Sequence, residues 1–429
     1  MQQLICKLTN EVAMESVNKL FLEALRASLQ KKTVDWEDAM TGEQWQALYR
    51  IALLHHVLPM IYESTIHSPA AQKADRKFFI NARNQTFQTV MIQATKTAAF
   101  LHLLSELMTA GATPIVVKGI LCRELYPNPD YRISGDEDIL IPEEQADLCH
   151  RVMLNCGMYL SDPEQDMRKF EISYRQKGSP LHIELHKQLF QPQSDSYGDL
   201  NRFFENAHSK IRTPVIQGAF VPTMCHTDHL FYLICHAFKH FLHSGFGIRQ
   251  VCDICLYANA FGSEVNWLQI RKQCEEIHAD LFAAALFRIG EKYLTFQPEE
   301  ACYPEKWHEL PVDESMMLDD LLDSGVFGDS SLSRKHSSNM TLQAVSTRKQ
   351  GKISGNYALK TIFPPAKDLT GRYPYLQEKP YLLPVAWVDR ILKYSKETTA
   401  GSTGNNAWES LAIGNKRIEL LKIYGILEK

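Results

Sequence analysis

Two adjoining runs, Lys118-Gly119-Ile120 and Arg132-Ile133-Ser134-Gly135-Asp136-Glu137-Asp138-Ile139-Leu140-Ile141, decide how this chain is read. The β-branched residues Ile115-Val116-Val117 just ahead of them predict a strand. That strand turns at Lys118-Gly119 into a helix over 120–126. Pro127-Asn128-Pro129-Asp130 then makes a turn, and a second strand over 138–141 stops at Pro142. Side chains two apart on a strand point the same way, so Asp136 and Asp138 can converge on one divalent cation. A strand that turns into a helix is a natural place to meet phosphate, which marks Lys118 and Gly119. A cation held against phosphates is the chemistry of nucleotidyl transfer.

Outward from this run the pattern stays mixed. Residues 143–156 read as a helix with acidic residues in its first turn, ended near Gly157. Leu181-His182-Ile183-Glu184-Leu185-His186 alternates strictly and predicts a strand with His182, Glu184 and His186 on one face. The fold class expected is α+β, a small mixed-sheet core over 111–222 with helical regions on both sides. Residues 1–110 read as helical: apolar residues recur at three and four spacing over 12–30 and 43–57, and 73–110 is one long helix or two, stopped by Gly111. Residues 223–300 return to helix, over 227–243, 248–260 and 280–294. Residues 301–429 read as an irregular and helical region packing on the core. Within it, 330–352 reads as a mobile Ser-, Thr- and Lys-rich loop and 373–384 as a surface strap. Residues 384–394 read as a helix, 398–406 as a linker and 408–427 as a closing helix.

Composition sets the class. The 429 residues are 45% hydrophobic and 22% charged, enough for a real core, with a net charge of −4. That charge gives no global pull toward nucleic acid, so no extended DNA footprint is expected. No apolar run reaches the length of a membrane span. The Met1-Gln2-Gln3-Leu4 start lacks a secretory pattern, and the ten scattered cysteines suit a reducing cytoplasm, which is the expected location.

Nucleotidyl transfer needs cations that bridge phosphates and align the attacking and leaving oxygens. Magnesium, or manganese in its place, takes a few carboxylates plus phosphate oxygens. Asp136 and Asp138 supply two ligands, and Glu184 on its alternating strand is the best third. A D-x-D pair alone also opens many ordinary surface strands; Lys118-Gly119 before it and Glu184 after it favour the site. Arg132 suits phosphate as a bidentate donor, or equally a pairing with Asp130 or Asp136. The helix over 227–243 carries His229, His236, His240 and His243 on one face, beside apolar Leu230, Phe231, Ile234, Phe238 and Phe241. Such a stripe fits structural hydrogen bonding, the lining of the cleft by His236 and His240 together with His182 and His186, or a zinc site with Cys252 and Cys255. No second paired zinc motif exists, and zinc is not the expectation.

These residues resemble the uncharacterised nucleotidyltransferase family of bacteria, a branch of the polymerase-β-like superfamily. The resemblance is carried by Lys118-Gly119, Tyr126-Pro127-Asn128-Pro129, Arg132, Asp136-Glu137-Asp138 and Glu184-Leu185-His186. More loosely it extends to His236 and His240 with Arg249 and Asp253, and to Phe363-Pro364-Pro365 through Pro384 with Trp387 and Arg390. It implies transfer of a nucleoside monophosphate from a nucleoside triphosphate such as ATP to an unidentified acceptor (a small molecule, a protein or RNA), with magnesium. Asp136, Asp138 and Glu184 would be metal ligands, and Lys118, Gly119 and Arg132 would meet the nucleotide. Two departures stand out: Ile120 where the superfamily has a serine or glycine, and Glu184 where many members have Asp. The alternatives are a degenerate nucleotide-binding or interaction protein, and a D-x-D glycosyltransferase.

Overall fold

The computed structural model describes residues 2–325, 332–349, 373–389 and 407–427, together with positions 366 and 369. The linker expected over 398–406, and Phe363, Pro364, Pro365 and Arg390, lie outside the described residues. The described chain forms two compact units. The first holds residues 1–194, 198–236 and 248–314; the second holds 195–197, 237–247 and 315–429.

The first unit begins with five helices: α1 (Gln2–Leu29), α2 (Gly42–Leu54), α3 (Leu58–Thr65), α4 (Pro69–Gln72) and α5 (Arg76–Thr109). Helix α2 starts at a reciprocal capping box, in which Thr41 and Gln44 each accept the other's backbone N–H. Helix α5 is continuous and ends just before Gly111, whose φ of +91° suits glycine.

Next comes a five-stranded mixed sheet in the order β1-β2-β5-β4-β3, so the protein is α+β. The strands are β1 (Ile115–Val117), β2 (Glu137–Leu140), β3 (Met158–Leu160), β4 (Glu171–Gln176) and β5 (His182–His186). β2 is antiparallel to β1 and parallel to β5, with Asp138 opposite Val117 on one side and Glu184 on the other. Helix α6 (Gly119–Arg123) follows β1, and α7 (Ala146–Asn155) follows β2 after a 3-10 turn. One sheet face is core: Ile139, Ile172, Tyr174, Ile183 and Leu185 pack with Ile120, Met153 and the α5 residues Phe100, Leu103 and Leu107. Period-two alternation therefore turns Asp138, Glu184 and His186 to the opposite face.

Two short ladders, β6 (Ile211–Arg212) with β9 (Thr223–Met224) and β7 (Val215–Ile216) with β8 (Ala219–Phe220), lead into helices α8 (His226–His243), α9 (Ile248–Phe261), α10 (Trp267–Glu276), α11 (Asp280–Tyr293) and α12 (Glu305–His308). Helix α8 crosses the division: residues through His236 belong to the first unit and the rest to the second.

The second unit contains α13 (Ser315–Ser324), α14 (Leu332–Lys349) and α15 (Ala407–Ile423). The mobile loop expected over 330–352 is instead helix α14. Its buried positions, Arg334, Ser337, Met340, Thr341, Ala344 and Val345, recur at helical spacing, but most are polar or small and so hide the stripe. They suit close approach: a Cβ on Gly414 of α15 would lie 2.5 Å from Met340 Sδ. Thr341 Oγ1 (2.8 Å) and Arg417 Nη1 (2.6 Å) donate to the His243 carbonyl at the C-terminus of α8, where carbonyls lack helical partners. Among the described residues no helix is long and apolar enough to cross a membrane.

Candidate metal and nucleotide site

The site forms where β1 turns into α6 beside the start of β2. Lys118 takes a left-handed φ of 53° and Gly119 one of 36°. The Lys118 amide donates to Nε2 of buried His229 at 3.0 Å, so Nε2 of that ring carries no proton. Burial holds the His229 imidazole well below the usual histidine range, and it stays neutral.

The other end of the turn is fixed by Glu137. Alternation along β2 sends this middle acid to the face opposite Asp138, into the interior, where it is fully buried. Glu137 Oε2 accepts the Ile120 amide at 3.0 Å; Oε1 accepts Arg123 Nη2 at 2.6 Å and Ser134 Oγ at 2.8 Å. Buried Lys96 of α5 lies 3.7 Å from the same oxygen and donates to the Ser134 carbonyl. Burial works to raise the Glu137 carboxyl, but Arg123 and Lys96 outweigh it and hold it below the usual range. This carboxylate explains the glycine: a Cβ at 119 would sit 2.0 Å from Glu137 Oε2. Gly119→Ala is expected to destabilise the protein by about 2 kcal/mol or more, through overpacking and a left-handed alanine. Urea denaturation of wild type and variant checks it.

Asp136 and Asp138 converge, and what they meet is the Lys118 ammonium. Nζ lies 2.8 Å from Asp138 Oδ2, 3.8 Å from Asp136 Oδ1 and 3.2 Å from His236 Nε2. Burial would lower the Lys118 pKa, and Asp138 and Asp136 outweigh it to hold the ammonium well above the usual lysine range. The reciprocal balance holds Asp138 low: burial opposes ionisation, and Lys118 and His186 favour it. His186 Nε2 donates to Asp138 Oδ1 at 3.0 Å and lies 3.8 Å from Glu184 Oε2. Glu184 is pushed up to about 8, first by burial, then by Asp138, Asp136 and Glu171.

Asp138, Glu184 and His186 can each offer a ligand atom, all within 4.8 Å of one another. Asp138 Oδ2 is buried, and its partner is the Lys118 ammonium at 2.8 Å. Two carboxylates and an imidazole so placed could hold a metal ion. Tyr232 of α8 is buried, and burial and then Asp138 hold its hydroxyl well above the usual tyrosine range. No sequence spacing had marked it.

Other expected site residues lie elsewhere. Arg132 does not stand ready for phosphate. It is buried, and its Nε and Nη2 bind Asp253 of α9 at 3.0 and 2.6 Å. Tyr126 Oη donates to the same carboxylate at 2.8 Å, and Arg249 Nη1 donates to the Ile133 carbonyl. The Tyr-Pro-Asn-Pro loop and Arg132 are thus anchored to α9 from within. At the turn, the Lys118 and Ile120 amides are committed to His229 and Glu137. Ile120 stands where a serine was expected because its side chain enters the core. His182 faces the site side of β5 but is held by Ser173 Oγ at 2.7 Å.

The histidine stripe divides. His229 and His236 serve Lys118, whereas His240 and His243 belong to the second unit. Cys252 and Cys255 are buried, and among the described residues no group of three potential ligands includes them or a histidine of α8. His226, at the start of α8, is lowered to about 4 by burial, then by Arg212, against the pull of Glu264. The unfolded chain therefore binds the extra proton below about pH 6.5, and stability falls as pH drops from there toward 4. His226→Asn is expected to lose less melting temperature than wild type between pH 7.5 and 5, a difference that calorimetry at both pH values reads.

Residues 41–295 match the family described as uncharacterised nucleotidyltransferase. No curated protein matches the chain. Among solved structures, an antigenic nucleotidyltransferase-like protein from Paracoccidioides brasiliensis aligns at 12% identity. It covers 49% of this chain and 96% of its own, with a TM-score of 0.28, too low to carry an argument. The family match spans more than half of the sequence, including the turn, both acidic strands and the Asp253 anchor, and the chain belongs to the uncharacterised nucleotidyltransferase family.

Proposed function

We propose that the protein is a magnesium-dependent nucleotidyltransferase that moves a nucleoside monophosphate from a nucleoside triphosphate to an acceptor. The observation that carries this reading is the buried group of Asp138, Glu184 and His186 beside the Lys118-Gly119 turn, in a chain of this family. Asp136, Asp138 and Glu184 would hold the cation, with His186 orienting Asp138 through its 3.0 Å hydrogen bond. A bound divalent ion supplies charge stabilisation to the phosphates and aligns the attacking and leaving oxygens. The Lys118 side chain meets the triphosphate. The acceptor oxygen attacks the α-phosphorus and the bond to the bridging oxygen breaks to release pyrophosphate; the acceptor's proton would pass to Glu184, whose raised carboxyl a bound cation would ionise.

A second reading, nucleotide binding without transfer, draws on one observation: the Lys118 ammonium lies against the very carboxylates a cation would use. The glycosyltransferase alternative calls for a doubly wound domain ahead of the D-x-D motif, and the described residues before β1 are helical instead. Incubating the protein with α-labelled nucleoside triphosphates, Mg2+ or Mn2+ and cell extract tests the leading reading. Label is expected on one acceptor class (protein, RNA or small molecule) and is expected to vanish with Asp136→Asn. Nucleotide binding with no label on any acceptor would favour the second reading.

A further inference from the structure

We propose that the Lys118 ammonium is the resident counter-ion of the carboxylate cluster, holding the place of a divalent cation until that cation arrives together with a nucleoside triphosphate. This rests on the metal-dependent reading above and adds a coupling to it: the metal alone binds weakly, and metal and triphosphate strengthen each other.

Three features support the exchange. First, Lys118 Nζ contacts the same two carboxylates that would hold the metal, at 2.8 and 3.8 Å. An ammonium and a divalent ion on one carboxylate pair repel each other, so one must leave for the other to bind. Second, Lys118 is held there by its surroundings. Its backbone keeps a left-handed φ of 53°, and its amide is fixed on His229. The ammonium also answers a need, since Asp138 Oδ2 is buried and Nζ at 2.8 Å is its partner. A buried carboxylate without a cation is costly. Third, the side chain can leave. Its stem is a flexible four-carbon chain, and on the α8 side Nζ is held by a neutral group, His236 Nε2 at 3.2 Å, and not by a further charge. An incoming triphosphate supplies anionic oxygens that receive the displaced ammonium, which joins the carboxylate contact seen here to the phosphate contact expected of this lysine.

Manganese binding followed by electron paramagnetic resonance tests this, with Mn2+ alone and with Mn2+ plus a non-hydrolysable ATP analogue. Wild type is expected to bind Mn2+ weakly alone and about tenfold or more tightly with the analogue, a coupling of ordinary allosteric size that must appear reciprocally in analogue affinity. Lys118→Met is expected to bind Mn2+ alone about tenfold more tightly than wild type and to lose most of the coupling. Lys118→Gln, which keeps a donor to Asp138 without the charge, takes its place if the methionine variant does not fold. If the neutral variant binds Mn2+ alone no more tightly than wild type, while wild type binds Mn2+ with the analogue, the counter-ion proposal is overturned and the metal reading stands. If neither protein binds Mn2+ under any condition, both are overturned.

Discussion

Asp138→Asn is expected to lower nucleotide transfer about a thousandfold or more, since a cation's stabilisation of developing charge is worth several kcal/mol and about 4 kcal/mol corresponds to that factor. Asp138 links three members of the site. Lys118 reaches one oxygen, His186 the other, and Glu184 is its partner across the parallel β2–β5 register. An asparagine keeps the shape but carries no charge, and its amide nitrogen would face a donor whichever way it turned. The substitution also leaves the Lys118 ammonium short of its nearest counter-charge, so a stability loss accompanies the activity loss. Asp136→Asn separates the two effects. Asp136 is partly exposed and 3.8 Å from Nζ, so its loss should disturb folding little while still removing a carboxylate of the cation site. Transfer assays with both variants, beside their urea midpoints, give the result. Retention of a tenth of wild-type transfer by either variant would sink the metal reading.

The frame of the site was legible because its parts are local. β-branched residues before Lys118, a Pro-rich turn after α6 and alternation at 181–186 each act within a few residues, and the structure places Lys118, Asp136, Asp138 and Glu184 in one neighbourhood. What escaped is of two kinds. Glu137 was readable in principle: the alternation that sends Asp136 and Asp138 one way sends it the other, into the core, where an acid requires a buried partner. Its partners Arg123 and Lys96 lie on two different helices and form no motif. Arg132 escaped for a different reason. Its partner Asp253 is 121 residues away, and nothing in the spacing around Arg132 distinguishes a phosphate from a distant carboxylate. Strand β4 is readable in the same way as Glu137, since Ile172 and Tyr174 alternate with exposed or half-buried neighbours. In α14 the buried face is built from Ser337, Thr341 and Ala344, so composition pointed to a loop while tertiary packing made a helix.

Glu137 carries the largest expected effect on stability. Glu137→Gln should cost about 3–5 kcal/mol, the usual range when one partner of a buried ion pair is removed. Glu137, Arg123 and Lys96 are 0%, 1% and 2% exposed, so no water compensates the cations left behind. The amide nitrogen of glutamine cannot accept from Arg123, Ser134 or Ile120, so at least one of these donors is orphaned in the interior. The same argument predicts a strong coupling. With Arg123→Met added to Glu137→Met, the pair leaves together, and the double variant should be more stable than the sum of its single losses by about 1–3 kcal/mol. Urea denaturation of the four proteins in the cycle reads this directly. Additive losses would mean that Glu137 acts mainly through the Ile120 amide and not through the guanidinium. Either way the acid between the two aspartates belongs to the architecture: it closes the Gly119 turn from inside, and that turn sets where the Lys118 ammonium meets Asp138.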